Sequence, residues 1–440
     1  MTSIVILGGG TAGTIMANRL RRQYAAAVKA GATTVTVVDQ DERHVYQPGL
    51  LFLPFGLYEP EQLVRSRRPL LHRDITYRTA IIDRVDVDHS IVHLAKGPPI
   101  SYDVLIVATG TRVAPEETEG LTGVGWQDRM FDFYTMDGAT RLRDALARFT
   151  SGRIVINVVE MPIKCPVAPL EFAFLADWYF TKRHIREKVQ ITYATPLDGA
   201  FTKPAASRAL AHLLRDKNIE LVTEFSAGRV DGEHGALYSW DEREVPFDLL
   251  VTIPLHMGAE FVSRSPGLGN DAGFVLTDPH TLQARVAPNI FAIGDATDVP
   301  SSKAGSVAHF EAEVLTDNVR HFLAGEPLDP GFDGHANCFI ETGFDKALLI
   351  DFNYDTEPLP GTFPIPGIGP MRLLEESRLN HCGKLAFRWI YWNVLLPGHD
   401  IPGVGPRMSM RGKRRDTPPP PPTTTTHTGA EQGLPAGSAT

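Results

Sequence analysis

Three cysteines carry the clearest chemistry in this 440-residue chain: Cys165, Cys338 and Cys382. A thiolate can ligate a metal, form a disulfide or exchange electrons with another thiol. The spacing shows no CxxC and no Cys/His metal pattern, so no metal site is expected, and three cysteines are too few for a disulfide framework. A single cysteine is more often a small buried hydrophobe. A redox role therefore needs a fold that supports two of them as a pair.

A glycine-rich turn near the N-terminus predicts a dinucleotide site. An apolar strand over 3–7 runs into GGGTAG at 8–13, a GxGxxG motif, and a helical stretch follows. Gly8 makes the tight turn, Gly10 lets the backbone approach a pyrophosphate, and Gly13 permits close packing of helix on strand. The next strand, 34–38, ends in Asp39, which we expect to accept hydrogen bonds from ribose hydroxyls.

Two later apolar strands end in similar turns. Residues 102–107 lead into Ala-Thr-Gly at 108–110, and 289–293 lead into Gly294-Asp295. In this order the three motifs resemble the two-dinucleotide-binding-domain flavoproteins, the disulfide reductases and their relatives. The resemblance implies FAD, with Asp295 at the ribityl chain. Two unrelated Rossmann-type strands are the alternative.

The expected fold class is α/β, with two Rossmann-like three-layer domains, the FAD domain being discontinuous, and a C-terminal amphipathic membrane-binding region. The low-complexity end, rich in proline and threonine, cannot bury a core. The predicted bounds are 1–115 for the first part of the FAD domain, 116–279 for the inserted domain, 280–330 for the return of the FAD domain, 331–415 for a quinone- and membrane-associated region, and 416–440 for a disordered tail.

The inserted domain lacks a second glycine motif. Its first strand, 154–159, runs into EMPIKCP at 160–166, where relatives that use a nicotinamide place glycines. Side chains of this turn fill the space that a pyrophosphate needs, and Glu160 would repel a phosphate. A nicotinamide electron donor is therefore not expected.

Cys165 begins a Cys-x-x-Ala-Pro-x-Glu sequence that ends at Glu171. In this position the sequence resembles sulfide:quinone oxidoreductase and flavocytochrome c sulfide dehydrogenase, over roughly residues 1–400. The resemblance implies a second redox cysteine after the FAD domain closes, a place that Cys338 fits. It implies that sulfide opens a Cys165–Cys338 disulfide, that polysulfide or sulfur leaves, and that the electrons pass through FAD to a quinone.

Other roles in this predicted site are less sharply defined. Glu171 is either a proton acceptor or a solvated carboxylate on a helix face, and Lys303 either stabilises the reduced anionic flavin or is an ordinary surface lysine. The resemblance favours Cys338 as the cysteine that faces the flavin. Residues 122–140 contain no cysteine, so FAD is expected to be non-covalent. The predicted cofactor-binding residues are Gly8, Gly10, Thr11, Ala12, Gly13, Asp39, Gln47, Ala108, Thr109, Gly110, Gly294, Asp295 and Lys303.

A basic, aromatic segment near the C-terminus predicts membrane contact. Residues 384–396 combine apolar bulk with tryptophan and tyrosine, which favour the headgroup plane. From 372 to 415 there are nine Lys or Arg and three acids, a net +6 in a chain of −9. This region is expected to attract anionic lipid. A buried core helix is the alternative, and Cys382, just before the segment, is expected to be structural.

The expected localisation is that of a peripheral, monotopic membrane protein. The sequence does not assign it to one face of the membrane. No apolar run reaches the roughly 18 residues of a spanning helix, and a strand near residue 4 leaves no room for a secretory signal. A quinone site is expected near Phe363, Ile365 and Tyr391. The negative net charge argues against nucleic acid as a partner, and a homo-oligomer is possible. The competing functions are a type II NADH:quinone dehydrogenase and a non-catalytic, flavin-binding redox sensor.

Overall fold

The computed structural model describes residues 1–415, and the predicted disordered tail at 416–440 lies outside them. The helices are α1 (Thr11–Gln23), α2 (Ala25–Lys29), α3 (Pro60–Leu63), α4 (Met136–Arg148), α5 (Ala168–Lys182), α6 (Pro204–Asp216), α7 (Glu260–Ser263), α8 (Gly305–Ala324) and α9 (Arg378–Ile390).

The strands of the N-terminal part are β1 (Thr2–Leu7), β2 (Thr33–Asp39), β3 (Arg43–Val45), β4 (Val64–Ser66), β5 (Thr76–Thr79), β6 (Ile82–Asp86), β7 (Ile91–Leu94), β8 (Ile100–Ser101), β9 (Val104–Val107) and β10 (Arg112–Ala114). Those of the middle part are β11 (Met130–Phe131), β12 (Gly152–Val158), β13 (Val189–Ala194), β14 (Ile219–Val222), β15 (Ala227–Asp231), β16 (Ala236–Ser239), β17 (Glu244–Pro246), β18 (Leu249–Ile253) and β19 (Leu255–Met257). The remaining strands are β20 (Ile290–Ala292), β21 (Ala336–Gly343), β22 (Lys346–Phe352), β23 (Gly361–Ile365) and β24 (Gly369–Leu373).

The first parallel sheet draws its strands from two distant parts of the chain. Its order is β20-β9-β1-β2-β5, and every pair is parallel. All of β9 and residues 4–7 of β1 are buried, as expected for parallel strands covered on both faces. Because β20 pairs with β9 across the inserted domain, the first Rossmann-like domain is discontinuous, and this part of the predicted fold class is confirmed.

The second parallel sheet belongs to the inserted domain. Its order is β11-β18-β12-β13-β14, again parallel throughout. The chain enters the domain after β10 and leaves it through β19, and these two strands pair antiparallel with each other. The domains are thus joined by two connections that run side by side. Residues that follow β9 and β12 line one cavity, so the carboxyl ends of both sheets lie next to the same space.

The C-terminal region is a four-stranded sheet with one helix packed on it. Strand order is β21-β22-β24-β23, and α9 packs against β21, β22 and β24. A π-helical turn, Tyr391–Leu395, continues α9. Within residues 1–415 no helix is long and apolar enough to cross a membrane.

The predicted membrane segment at 384–396 divides into an exposed and a buried half. Leu385 and Trp389 on α9 are 44% and 65% exposed, whereas Tyr391 and Trp392 are buried in the core. The aromatic cluster therefore does not lie as a whole in a headgroup plane, because its second half packs against the first domain. The predicted membrane-binding region is not confirmed by the fold.

Two of the nine basic residues counted toward lipid are buried in ion pairs. Lys384 pairs with Glu171, and Lys413 lies 2.5 Å from Asp351, which also contacts His335 at 2.7 Å. These two charges balance carboxylates inside the protein and are not available to anionic lipid.

Candidate active site

Two adjoining cavities lie at the carboxyl ends of the first sheet. The smaller, about 200 Å³, and the larger, about 520 Å³, share Gly10, Thr11, Gln47, Thr109 and Gly110 among their lining residues. Together they fall within the range of roughly 300–1,000 Å³ that is usual for small-molecule sites. The smaller cavity is also lined by Ala12, Ala108, Gly294, Asp295 and Lys303, and the larger one by Gly8 and Asp39.

The glycines of the first turn leave room where a pyrophosphate needs it. A Cβ on Gly13 would lie 1.9 Å from the Gly8 carbonyl oxygen, so glycine is required for α1 to start against β1. At Gly10 and Gly305, which begin α1 and α8, no heavy atom of the described chain lies within 4 Å of an added Cβ. Helix N-termini with open space in front of them favour anions, so these residues fit a dinucleotide.

Polar atoms around the cavities also fit such a cofactor. The Oγ1 atoms of Thr109 and Thr111 are buried and have no hydrogen-bond partner within residues 1–415. Asp39 accepts from the Gly9 N–H at 2.6 Å and pairs with Arg67 at 2.8 Å. These two contacts fix the Asp39 carboxylate at the end of β2. A ribose hydroxyl bound there would donate to the same carboxylate.

A buried carboxylate, Glu311 on α8, fixes the Gly294-Asp295 turn. Its Oε2 accepts from the Gly294 N–H at 2.6 Å, and burial raises the pKa of Glu311 to about 7. The Lys303 ammonium donates to the carbonyls of Asp295 at 3.2 Å and Thr297 at 2.7 Å. Lys303 is buried, so the interpretation as an ordinary surface lysine is wrong.

Cys165 reaches the cavity wall from the inserted domain. It lies in the loop between β12 and α5 with a φ of +50° and lines the smaller cavity. Its N–H donates to the Lys303 carbonyl at 2.6 Å, which ties this loop to the first domain. Cys338, on β21, is buried, and both are free thiols. Cys382 is exposed on α9, and its expected structural rather than redox role stays a prediction.

Glu171 lies completely buried on the first turn of α5. Its Oε1 accepts from the Lys384 ammonium and, at 2.6 Å, from the Glu341 N–H. Its Oε2 is buried without a hydrogen-bond partner in the part of the chain that the structure describes. The interpretation as a solvated carboxylate is therefore wrong, and one oxygen remains free to take a proton.

The thiols and Lys384 influence one another electrostatically. Burial raises the pKa of Cys338 to about 12, against the effect of Lys384, which lowers it. Burial likewise raises the pKa of Cys165, and the negative charges of Glu171 and of an ionised Cys338 raise it further. Burial would lower the pKa of Lys384, but Glu171 and Cys165 raise it above its usual value. Lys384 therefore stays a cation beside two thiols that need one in order to ionise.

Tyr391 joins the C-terminal region to the start of α1. Its hydroxyl lies 2.7 Å from Thr11 Oγ1 and 2.7 Å from His44 Nε2, and the residue lines the smaller cavity. Burial, with the nearby charge of Arg67, lowers the pKa of His44 to about 4, so this imidazole is neutral at pH 7.

The other two predicted quinone residues lie elsewhere in the C-terminal region. Phe363 and Ile365 are on β23, and the latter is half exposed. Neither is among the residues that line the two cavities of the described chain. Their role stays a prediction. Within residues 1–415 there is also no cluster of three or more His, Cys, Asp or Glu that could hold a metal ion.

Comparison with known proteins places this geometry in a family. The model of the pyridine nucleotide-disulphide oxidoreductases matches residues 2–312. The chain belongs to this family. A mitochondrial sulfide:quinone oxidoreductase of Mus musculus is 26% identical over 402 residues, which cover 90% of this chain and 86% of the relative. A sulfide-quinone reductase of Aquifex aeolicus is 24% identical over 417 residues, 89% of this chain and 90% of the relative.

A solved structure agrees in fold over nearly the whole chain. The crystal structure of the sulfide:quinone oxidoreductase from Aquifex aeolicus superposes with a TM-score of 0.76 and 20% identity, covering 91% of this chain and 92% of that one. The predicted resemblance to sulfide:quinone oxidoreductases within this family of flavoprotein-type oxidoreductases is thus confirmed.

The sequence interpretation missed the charged residues around the cysteines. Lys384 was considered only as a flank of an amphipathic segment, and Glu341, His381 and Glu311 were not considered at all. One usable signal was present: Glu341 follows Cys338 by three residues and is the one charged residue of its strand. A carboxylate inside such a strand needs a buried partner.

Proposed function

We propose that this protein binds FAD non-covalently, oxidises sulfide at Cys165 and Cys338, and passes the electrons to a quinone at a membrane surface. One observation carries the proposal: the turn that would hold a second nucleotide instead delivers Cys165 to the wall of the dinucleotide cavity. FAD, when bound, supplies the two-electron acceptor that a thiol pair needs.

The chain's own residues can begin the reaction. Hydrosulfide attacks a disulfide between Cys165 and Cys338, the S–S bond breaks, and one sulfur becomes a persulfide while the other leaves as a thiolate. The Lys384 cation stabilises that thiolate. The free oxygen of Glu171 takes the proton when hydrogen sulfide rather than hydrosulfide enters. A second hydrosulfide then attacks the persulfide, carries its outer sulfur away as polysulfide and leaves the second cysteine as a thiolate. The two thiolates re-form the disulfide when their two electrons pass to the acceptor that bound FAD would supply.

The relatives support the choice of donor and acceptor. Two proteins that match about nine-tenths of this chain are named for sulfide and quinone. The loop between β12 and α5 adds independent support, since it contains no glycine between residues 159 and 167. A nicotinamide pyrophosphate would meet side chains there.

The exposed face of α9 supports a membrane location. Cys382, Leu385, Ala386 and Trp389 are exposed and follow the i, i+3, i+4, i+7 spacing of one helix face. Such an apolar stripe with a tryptophan suits an interface. In Trp389→Asp the fraction of protein that sediments with anionic liposomes should fall several-fold. Trp240→Asp is the control, because Trp240 is 77% exposed on the inserted domain, and its sedimented fraction should not change. Equal binding by both variants would contradict this location.

The deciding experiment is anaerobic reduction of the bound flavin. Sulfide should bleach the flavin absorbance within seconds, and added quinone should restore it, whereas NADH should leave it unchanged. Bleaching by NADH alone would favour the dehydrogenase, and bleaching by neither would favour the redox sensor. Acid should release the flavin intact, because no candidate attachment cysteine precedes Cys165.

A further inference from the structure

A second buried acid, Glu341, lies beside the proposed cysteine site. It is on β21 three residues after Cys338, and its side chain is 2% exposed. Its carboxylate oxygens accept from His381 Nδ1 at 2.9 and 3.0 Å, while its own N–H donates to Glu171 at 2.6 Å. Glu341 is thus connected to Glu171 through the backbone and to His381 through its side chain.

His381 holds one of two buried carboxylates that lie near the Lys384 ammonium. These carboxylates are Glu171 and Glu341. The Lys384 ammonium donates to Glu171 and, at 3.0 Å, to the Phe339 carbonyl, and its charge acts on Glu341 and on both thiols. Burial raises the pKa of Glu341, whereas His381 lowers it. His381 lies one turn before Lys384 on α9, so both side chains face the same cluster.

We propose that Glu341 and His381 are positioning residues that set how much of the Lys384 charge reaches Cys338, and thereby how readily its thiolate forms. The inference rests on the proposed function for its chemical purpose. Neither residue is assigned contact with sulfide or with the cofactor. The substrate-facing roles stay with the two cysteines, Lys384 and Glu171.

The physical argument makes opposite predictions for the two partners. Without the His381 donor, the Glu341 carboxylate loses its hydrogen bonds and competes for Lys384, which leaves less positive charge for the thiolate. Without the Glu341 charge, Lys384 is attracted only by Glu171 and the thiols, so the thiolate gains. Loss of packing alone would change both variants in the same direction.

The test measures the thiolate of Cys338 directly. In a Cys165→Ser, Cys382→Ser background Cys338 is the sole cysteine, and its alkylation rate by iodoacetamide follows the thiolate fraction. At a fixed pH near 8, His381→Gln should slow alkylation by about tenfold and Glu341→Gln should speed it by about tenfold, equivalent to one pKa unit each. The double variant should return to within about twofold of the parent.

Matched controls separate charge from damage. His234→Gln removes the imidazole of an exposed His234–Asp231 pair on the inserted domain and should leave the rate unchanged. His381→Arg retains a hydrogen-bond donor for Glu341 and should stay near the parent. Shifts of the same sign in His381→Gln and Glu341→Gln, or no shift in either, would overturn the proposal.

The readout does not depend on turnover. If sulfide fails to bleach the flavin while the opposite shifts in alkylation appear, the proposed function fails and the electrostatic coupling stands. If sulfide bleaches the flavin and the shifts are absent, the coupling fails and the proposed function stands. Should His381→Gln not fold, faster alkylation in Glu341→Gln together with a parental rate in His381→Arg supports the proposal, and an unchanged or slower rate in Glu341→Gln overturns it.

Discussion

Two turns occupy equivalent places in the two parallel sheets, and they differ in length and in residue type. Between β1 and α1 there are only residues 8–10, all glycine, whereas between β12 and α5 there are residues 159–167, with no glycine. The short turn leaves space in front of a helix. The long turn fills the corresponding space with side chains and places Cys165 against the first domain.

This difference shows how one topology yields two kinds of site. A tight glycine turn exposes backbone N–H groups to a phosphate, and the distance of 1.9 Å at Gly13 shows that a side chain there is excluded. The longer loop gives up that backbone cradle. In exchange it spans the gap between the domains, where the Cys165 N–H bonds to Lys303 at 2.6 Å.

The largest effect is expected from replacing Cys165, which lies in the long turn at 159–167, or Cys338, its proposed partner on β21. Cys165→Ser or Cys338→Ser removes the disulfide that sulfide must attack, since a serine oxygen cannot form or exchange it. Sulfide:quinone turnover should fall by several orders of magnitude while bound FAD stays. Cys382→Ser is the matched control because it removes an exposed thiol. Near-normal turnover in all three variants would exclude the two-cysteine chemistry.

Filling the glycine turn should have the complementary effect. Gly10→Val adds a side chain into open space, so the fold should persist, but the pyrophosphate would meet that side chain. We expect FAD affinity to fall at least about tenfold, measured by flavin fluorescence on titration. Gly405→Val, also in open space but in the C-terminal loop, should bind FAD normally. Tight FAD binding by Gly10→Val would show that the cradle is elsewhere.

The glycine turn was predictable because its evidence is local. An apolar strand, three spaced glycines and a following acid fall within residues 3–39, and the structure places them as expected. The surroundings of the cysteine turn were not predictable in this way, since Lys384 and Glu171 are 213 residues apart. No local sequence pattern distinguishes a lysine whose ammonium enters a cavity from a lysine whose ammonium faces lipid.

Aromatic composition was equally ambiguous. Tyr391 and Trp389 belong to the same short segment, yet the first is buried against Thr11 and the second is exposed. Interfaces and cores select the same residue types, so the sequence could not tell these two environments apart.

Lys384→Met tests the electrostatics of the cysteine turn. Because Lys384 lowers the pKa of Cys338, which burial has raised to about 12, its removal should raise that pKa further. The pH profile of sulfide-dependent flavin reduction should shift upward by about one unit, a roughly tenfold loss at fixed pH. Lys346→Met, an exposed residue on β22, is the control. An unchanged pH profile would remove Lys384 from the mechanism.

The smallest effect concerns Glu311, the carboxylate that fixes the Gly294-Asp295 turn on the wall of the same cavity. Burial raises the pKa of Glu311 to about 7 from its usual 4.5, so between these pH values the folded state keeps a proton that the unfolded state releases. Its contribution to stability is full below pH 4.5 and is lost as the pH rises through 7.

Glu311→Gln should flatten this part of the stability profile. The free energy of unfolding of the wild-type protein should fall by up to about 1.4 kcal/mol per pH unit in that window because of this group. In the variant the slope should be smaller, while Gln still accepts from Gly294. Thermal unfolding of flavin-free protein at several pH values measures it, and identical slopes in both proteins would contradict the assignment.

The bond between Tyr391 and Thr11 also bears on how the protein is made. Thr11 is synthesised 380 residues before Tyr391, yet both line the same cavity. Chains grow from the N-terminus, and early domains fold first. The first glycine turn can therefore form early in translation, but the wall that contains Lys384 and Tyr391 is added only after the inserted domain has been made. A chain truncated before residue 384 would present an incomplete pocket to its cofactor.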